Sequence, residues 1–156
     1  MAIDLPQAQN ADDWQIFLWN LSDGVLTRPQ KLTFMLMLEA QFNAFNPYQV
    51  IADLLRHRTL WTGAVMERGY PFIDPARPGW GQFHGDLIHL RDVAGGHWNV
   101  DTLYLLIVAG SDSQWRSVTA NWNADEVGDY EGAVAGSLLG ILGASVPQKI
   151  LRVWWD

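Results

Sequence analysis

The sequence predicts an α+β fold: an N-terminal layer of about three helices packed on a small antiparallel sheet, with one further helix before the last strand. Three observations carry this. Cap signals followed by apolar residues at helical spacing recur three times before residue 69, residues 103–109 are apolar on both faces at strand length, and another strand-like run follows at 150–155. Helices and strands that are segregated along the chain, rather than alternating, favour α+β over a parallel α/β sheet.

The first helix, over about 12–21, starts at Asn10, whose side chain can cap it. Asp12 and Asp13 lie at the positive end of its dipole, and Trp14, Phe17, Leu18 and Leu21 recur on one side. It stops at Ser22, Asp23 and Gly24. The second, over 28–45, has Thr27 and Gln30 at capping-box spacing and Pro29 in its first turn. The run 32–45 is apolar nearly all round, which predicts a central helix covered on several sides. Asn46 and Pro47 repeat the cap-then-proline signal, and Val50, Leu54, His57, Trp61 and Ala64 share a stripe, so a third helix is expected over 47–67. Pro71, Pro75, Pro78 and Gly79 among the rings of Tyr70, Phe72 and Trp80 mark a loop. That loop divides a helical part, 10–69, from a strand-rich part, 84–156, of a single domain spanning 1–156.

In the second part, 84–91 can form a strand and 103–109 reads as a central one. Gly110, Ser111, Asp112 and Ser113 turn the chain. Residues 115–122 alternate, with Trp115, Ser117, Thr119 and Asn121 on one side, so the two runs read as a hairpin. Asp129 can open a helix over 130–144, and 150–155 supplies the last strand.

With 156 residues, 49% apolar and 17% charged, the chain can bury a sizeable core, and disorder is excluded. Net charge is −7 and the pI about 4.8, which repels polyanions, so neither nucleic acid nor an anionic membrane is an expected partner. The absence of cysteine removes disulfides, thiolate zinc sites and thiol nucleophiles together. Residues 1–10 carry neither a basic region nor an apolar run, which makes a cytoplasmic location the expectation. The longest uncharged stretch, 132–148, is broken by glycines and a proline and falls short of the roughly 20 residues a membrane span needs.

Candidate sites are few. His84, Asp86 and His97 are donors suited to zinc, manganese or iron. If 84–91 is a strand, however, His89 points away from His84, and His97 follows two glycines that leave its position unfixed. A metal-dependent enzyme built on His84, Asp86 and His97 is therefore an alternative only, and no metal or cofactor is assigned. No serine sits in a nucleophile elbow, so no catalytic residue is assigned either. Gly128, Gly132, Gly136 and Gly140 fall every four residues and would draw a smooth groove along the fourth helix. Its packing partner is the protein's own sheet or third helix or, with Gly132, Gly136 and Gly140 as an interface, the same helix of a second subunit.

Nine tryptophans are the compositional anomaly. A large ring with an N–H is rarely buried completely, so an exposed aromatic patch is expected. Trp98 with Asn99, and the face formed by Trp115, Ser117, Thr119 and Asn121, combine a ring with polar groups and are the candidate binding residues. The expectation is a non-catalytic interaction protein that binds a protein partner or forms a homo-oligomer through an aromatic surface. A small-molecule or carbohydrate binder using the same residues is an alternative.

Overall fold

The computed structural model describes residues 3–7, 9–40, 43–67, 101–138 and 146–155. Three helices come first: α1 (Ala11–Asn20), α2 (Arg28–Glu39) and α3 (Pro47–Arg56), followed by a 3-10 turn at Arg58–Leu60. Strand β1 (Trp61–Glu67) and strand β2 (Thr102–Ile107) lead to helix α4 (Asp112–Thr119). Strand β3 (Glu126–Glu131), helix α5 (Gly132–Leu138) and strand β4 (Val146–Trp154) complete the order. The architecture is α+β, as expected.

Among the described residues all strand pairs are antiparallel, in the order β1-β2-β4-β3. The two interior strands are the apolar ones. In β2, TLYLLI is buried along almost its whole length, as a strand covered on both faces should be. The edge strand β3 instead carries Glu126, Asp129 and Glu131, charges that discourage further strand addition. A register shift between Trp61 and Gly63 marks a bulge where β1 begins.

One face of the sheet, through Leu103, Leu105, Ile107, Leu151 and Val153, joins the main core with Trp14, Leu18, Phe34, Leu54 and Leu55 of the helical layer. The opposite face packs Tyr104 and Ile150 against Ala135 of α5. Four tryptophans fill the first layer: Trp61, Trp115, Trp122 and Trp155 are all fully buried. A buried indole removes about 150–250 Å² from water, a transfer gain of roughly 4–6 kcal/mol before ordering costs. Each of their N–H groups has an acceptor. Trp61 donates to Leu54 O at 2.8 Å, Trp115 to Leu60 O at 3.1 Å, Trp155 to Trp122 O at 3.0 Å and Trp122 to Asp53 Oδ2 at 2.9 Å.

The helix starts follow the cap chemistry. Asn10 Oδ1 accepts from Asp13 N at 2.9 Å, Asn46 Oδ1 from Gln49 N at 3.2 Å, and Gln30 Oε1 from Thr27 N at 2.9 Å. Several boundaries need correction. The second helix ends at Glu39, not 45. The third ends at Arg56, not 67, because Trp61 begins β1 while its indole holds the end of α3. The final helix occupies Gly132–Leu138 rather than 130–144, since Asp129 and Tyr130 belong to β3.

The largest correction concerns 115–122, which is not the second arm of a hairpin. It forms most of α4 and the turn after it, and β2 pairs with β1 and β4 instead. A strand would send Trp115 and Trp122 to opposite faces, whereas a helical path brings the two rings edge to face at 6.2 Å in one core. The possible strand at 84–91 lies outside the described residues.

Candidate functional site

Helices α1 and α2 run antiparallel. At one end Gln15 Nε2 donates to Glu39 Oε1 at 2.9 Å; at the other the Arg28 guanidinium stands 6.0 Å from the centre of the Trp19 ring. Lys31 ties this second end together. Its side chain is buried, and its ammonium donates to Leu21 O, to Trp19 O at 3.4 Å and to Asp23 Oδ1 at 3.0 Å. Helix α1 has no basic residue in its own last turn, so a lysine from α2 satisfies the carbonyls that its C-terminus leaves open.

The inward sides of this pair, Trp14 and Leu18 with Phe34, Met37 and Leu38, enter the core. The outward sides are the candidate site. On α1, Asp12, Ile16 and Trp19 are spaced i, i+4, i+7; on α2, Arg28, Leu32, Leu36 and Glu39 are spaced i, i+4, i+8, i+11. Each set therefore forms one stripe. Ile16 is 62% exposed, Trp19 53%, Leu32 47% and Leu36 44%. They are four of the six large hydrophobic side chains exposed among the described residues, and they share one two-helix face. Side chains of this size scattered singly need no explanation, but four of them on two neighbouring helices, with charged residues at the ends of both stripes, make this face the candidate site. Among the described residues the second helix is thus covered on one side only, not enclosed as expected.

The residues singled out in the sequence fall elsewhere. Trp115 is fully buried and Thr119 is buried with it, whereas Ser117 and Asn121 are exposed on α4 and the turn after it. The Trp115 ring meets Trp122 and the half-buried His57 ring, at 5.9 Å from the latter. The Ser117 hydroxyl donates to Ser113 O and the Asn121 amide to Ser117 O, both within the helical turn. The structure therefore does not bring these four side chains to one wet face. Gly128 lies in β3 and Gly132 opens α5 with a φ of 56°, so the four-residue glycine spacing is not one helical groove. Gly136 is buried beside Ala135, which packs on the sheet. Gly140, Trp98, Asn99, His84, Asp86 and His97 lie outside the described residues.

A charged cluster joins α4 to the sheet edge. Lys149 of β4 pairs with Asp112, with Glu131 Oε1 at 2.5 Å and with Asp129 Oδ2 at 3.1 Å, and Arg116 reaches Asp129 Oδ1 at 3.1 Å. The hydrogen bond from Lys149 holds the Asp112 carboxyl below its ordinary range, and the carboxylates push the Lys149 ammonium upward. The ammonium occupies the position a cation would take. Among the described residues no group of histidine or carboxylate side chains is placed to hold a metal ion, and no helix is long and apolar enough to cross a membrane.

No protein-family model, curated protein or solved structure matches this chain.

Proposed function

We propose that this is a non-catalytic interaction protein of the cytosol that docks on another protein surface through the outer face of α1 and α2. The observation that carries the reading is the shared exposure of Ile16, Trp19, Leu32 and Leu36 on a rigidly tied helix pair. Tryptophan supplies a large contact area at low conformational cost and is enriched among the residues that dominate binding energy, and here Trp19 sits within an apolar group flanked by Asp12, Glu39 and Arg28. Among the described residues the exposed tryptophan that supports this reading is Trp19, whereas Trp115 is buried.

The test is photo-crosslinking in the native cell. A photoreactive phenylalanine replaces Leu36 in one variant and Gln114, on the exposed side of α4, in another. Protein adducts formed from position 36 and not from position 114 support the reading. Absence of adducts from position 36 in a folded, expressed variant overturns it.

A further inference from the structure

We propose that the occupant of the α1–α2 face is a second copy of this chain, docked end for end so that Arg28 of each copy meets Glu39 of the other. The inference rests on the docking reading above and deepens it by naming the partner. It comes from how charge is arranged along the face. Because α1 and α2 are antiparallel, Glu39 lies at one end beside Gln15, with Asp12 about one turn further toward the start of α1, and Arg28 lies at the other, beside Trp19. Lys31, also near that second end, is engaged with Asp23 and two backbone carbonyls. The face therefore has an acidic end, an apolar middle and a cationic end.

Such a face is complementary to itself under one operation. A two-fold axis lying in the interface and perpendicular to the helices turns the second copy end for end, laying α1 on α1 and α2 on α2 in antiparallel pairs. Arg28 then faces Glu39 of the second copy twice, once at each end with Trp19 beside it, while Ile16, Leu32 and Leu36 of both copies close over one another in the middle. A two-fold axis parallel to the helices would set acidic end on acidic end, and the like charges would oppose it. The charge pattern thus selects one arrangement of the isologous four-helix contact.

Size sets the expected strength. At 1.5 Å rise per residue α2 is about 18 Å long, and two helices side by side are about 20 Å broad, so the face covers roughly 360 Å² in projection. Two such faces bury roughly 720 Å² between them, below the roughly 1,200 Å² at which standard specific interfaces begin, which implies a weak, transient and strongly concentration-dependent dimer.

The experiment is sedimentation equilibrium of the purified chain from about 10 μM to about 1 mM, which spans weak specific association. The wild-type chain should pass from monomer to dimer across this range. Arg28→Glu and Glu39→Arg should each weaken self-association by about tenfold or more, since each homodimer then carries two like-charge contacts. Mixing the two variants should restore dimers, because both contacts are again between opposite charges, and the Arg28→Glu, Glu39→Arg double variant should also dimerise. An unchanged thermal midpoint in each variant confirms that folding is intact. A wild-type chain that stays monomeric at the highest concentration overturns the inference, as does a dimer indifferent to either reversal or not restored on mixing. If the chain is monomeric yet position 36 crosslinks to a protein of different mass, this inference falls and the docking reading stands; if position 36 crosslinks to nothing, both fall.

Discussion

Replacing Trp122 with phenylalanine removes one hydrogen-bond donor from the core while leaving an aromatic ring in place. The indole is fully buried, nearly parallel to Trp155 at a centroid distance of 6.5 Å, and donates to Asp53 Oδ2 at 2.9 Å. A bond to a charged acceptor contributes about 1.5–3 kcal/mol, and the smaller ring costs about 1 kcal/mol more through lost packing. The expected destabilisation is therefore about 2.5–4 kcal/mol, or a fall in melting temperature of roughly 5–15 °C for a chain of this length. Asp53→Ala loses the same bond together with the Arg56 pair at 2.9 Å, whose Arg56 side chain is largely exposed and contributes less than about 0.5 kcal/mol. Urea unfolding of the wild type, both single variants and the double variant, followed by far-ultraviolet circular dichroism, closes a double-mutant cycle. The two residues should be coupled by about 1.5 kcal/mol or more. If the single effects add to within about 0.5 kcal/mol, the hydrogen bond is not what holds this tryptophan, and the reasoning is refuted.

Two further outcomes follow from the charged groups. Lys31→Met keeps the side-chain volume but strips the donor from Leu21 O, Trp19 O and Asp23, so it should destabilise the fold by about 2–4 kcal/mol; a loss below about 0.5 kcal/mol in urea unfolding would show that water replaces the ammonium at the end of α1. The second concerns acid. Asp112 has its carboxyl lowered from 3.8, first by the hydrogen bond from Lys149, so its contribution to stability is complete above the unfolded value and is lost as pH falls through the lower folded one. The stability gap between the wild type and Asp112→Asn should hold from neutral pH down to the ordinary carboxylate range and shrink below it, and a gap unchanged at about pH 2 would contradict this.

The class of fold was legible because it depends on signals that are local and redundant: three cap motifs, an apolar strand, and helices segregated from strands. The errors arose where two periods fit the same residues. Residues 115–122 alternate polar and apolar well enough for a strand, yet Trp115, Val118, Thr119 and Trp122 also stand at i, i+3, i+4 and i+7. What decides between the two is that both large rings must reach one core, a tertiary demand that no local pattern states. The stripe from Val50 through Trp61 to Ala64 misled for the converse reason. It continues at helical spacing past Arg56, although the β-branched Thr62 and Val65 are better suited to the strand that forms there.

The proposed interaction face was legible in part. A helix apolar nearly all round is either enclosed by its own fold or open on one side to something else. Leu32 and Leu36 on one stripe, next to Ile16 and Trp19 on α1, were the available signal for the second case. Reading them that way requires knowing how α1 lies on α2, which the contacts of Lys31 and Arg28 establish only in the folded molecule.

The position of β4 between β2 and β3 has a consequence for the order in which the fold can be assembled. Among the described residues β3 pairs with β4 alone, so β3 has no strand partner and β2 carries an open edge until β4 is in place with Trp154 opposite Thr102. The helical layer and the β1-β2 ribbon can form early, but the sheet closes only when the last strand is inserted between two strands already made. Such non-local pairing slows folding and leaves strand edges exposed in the interval. Until β4 is in place the fold therefore lacks the strand that joins β3 to the rest of the sheet, and the open edge of β2 is the surface at which wrong strand pairing would begin.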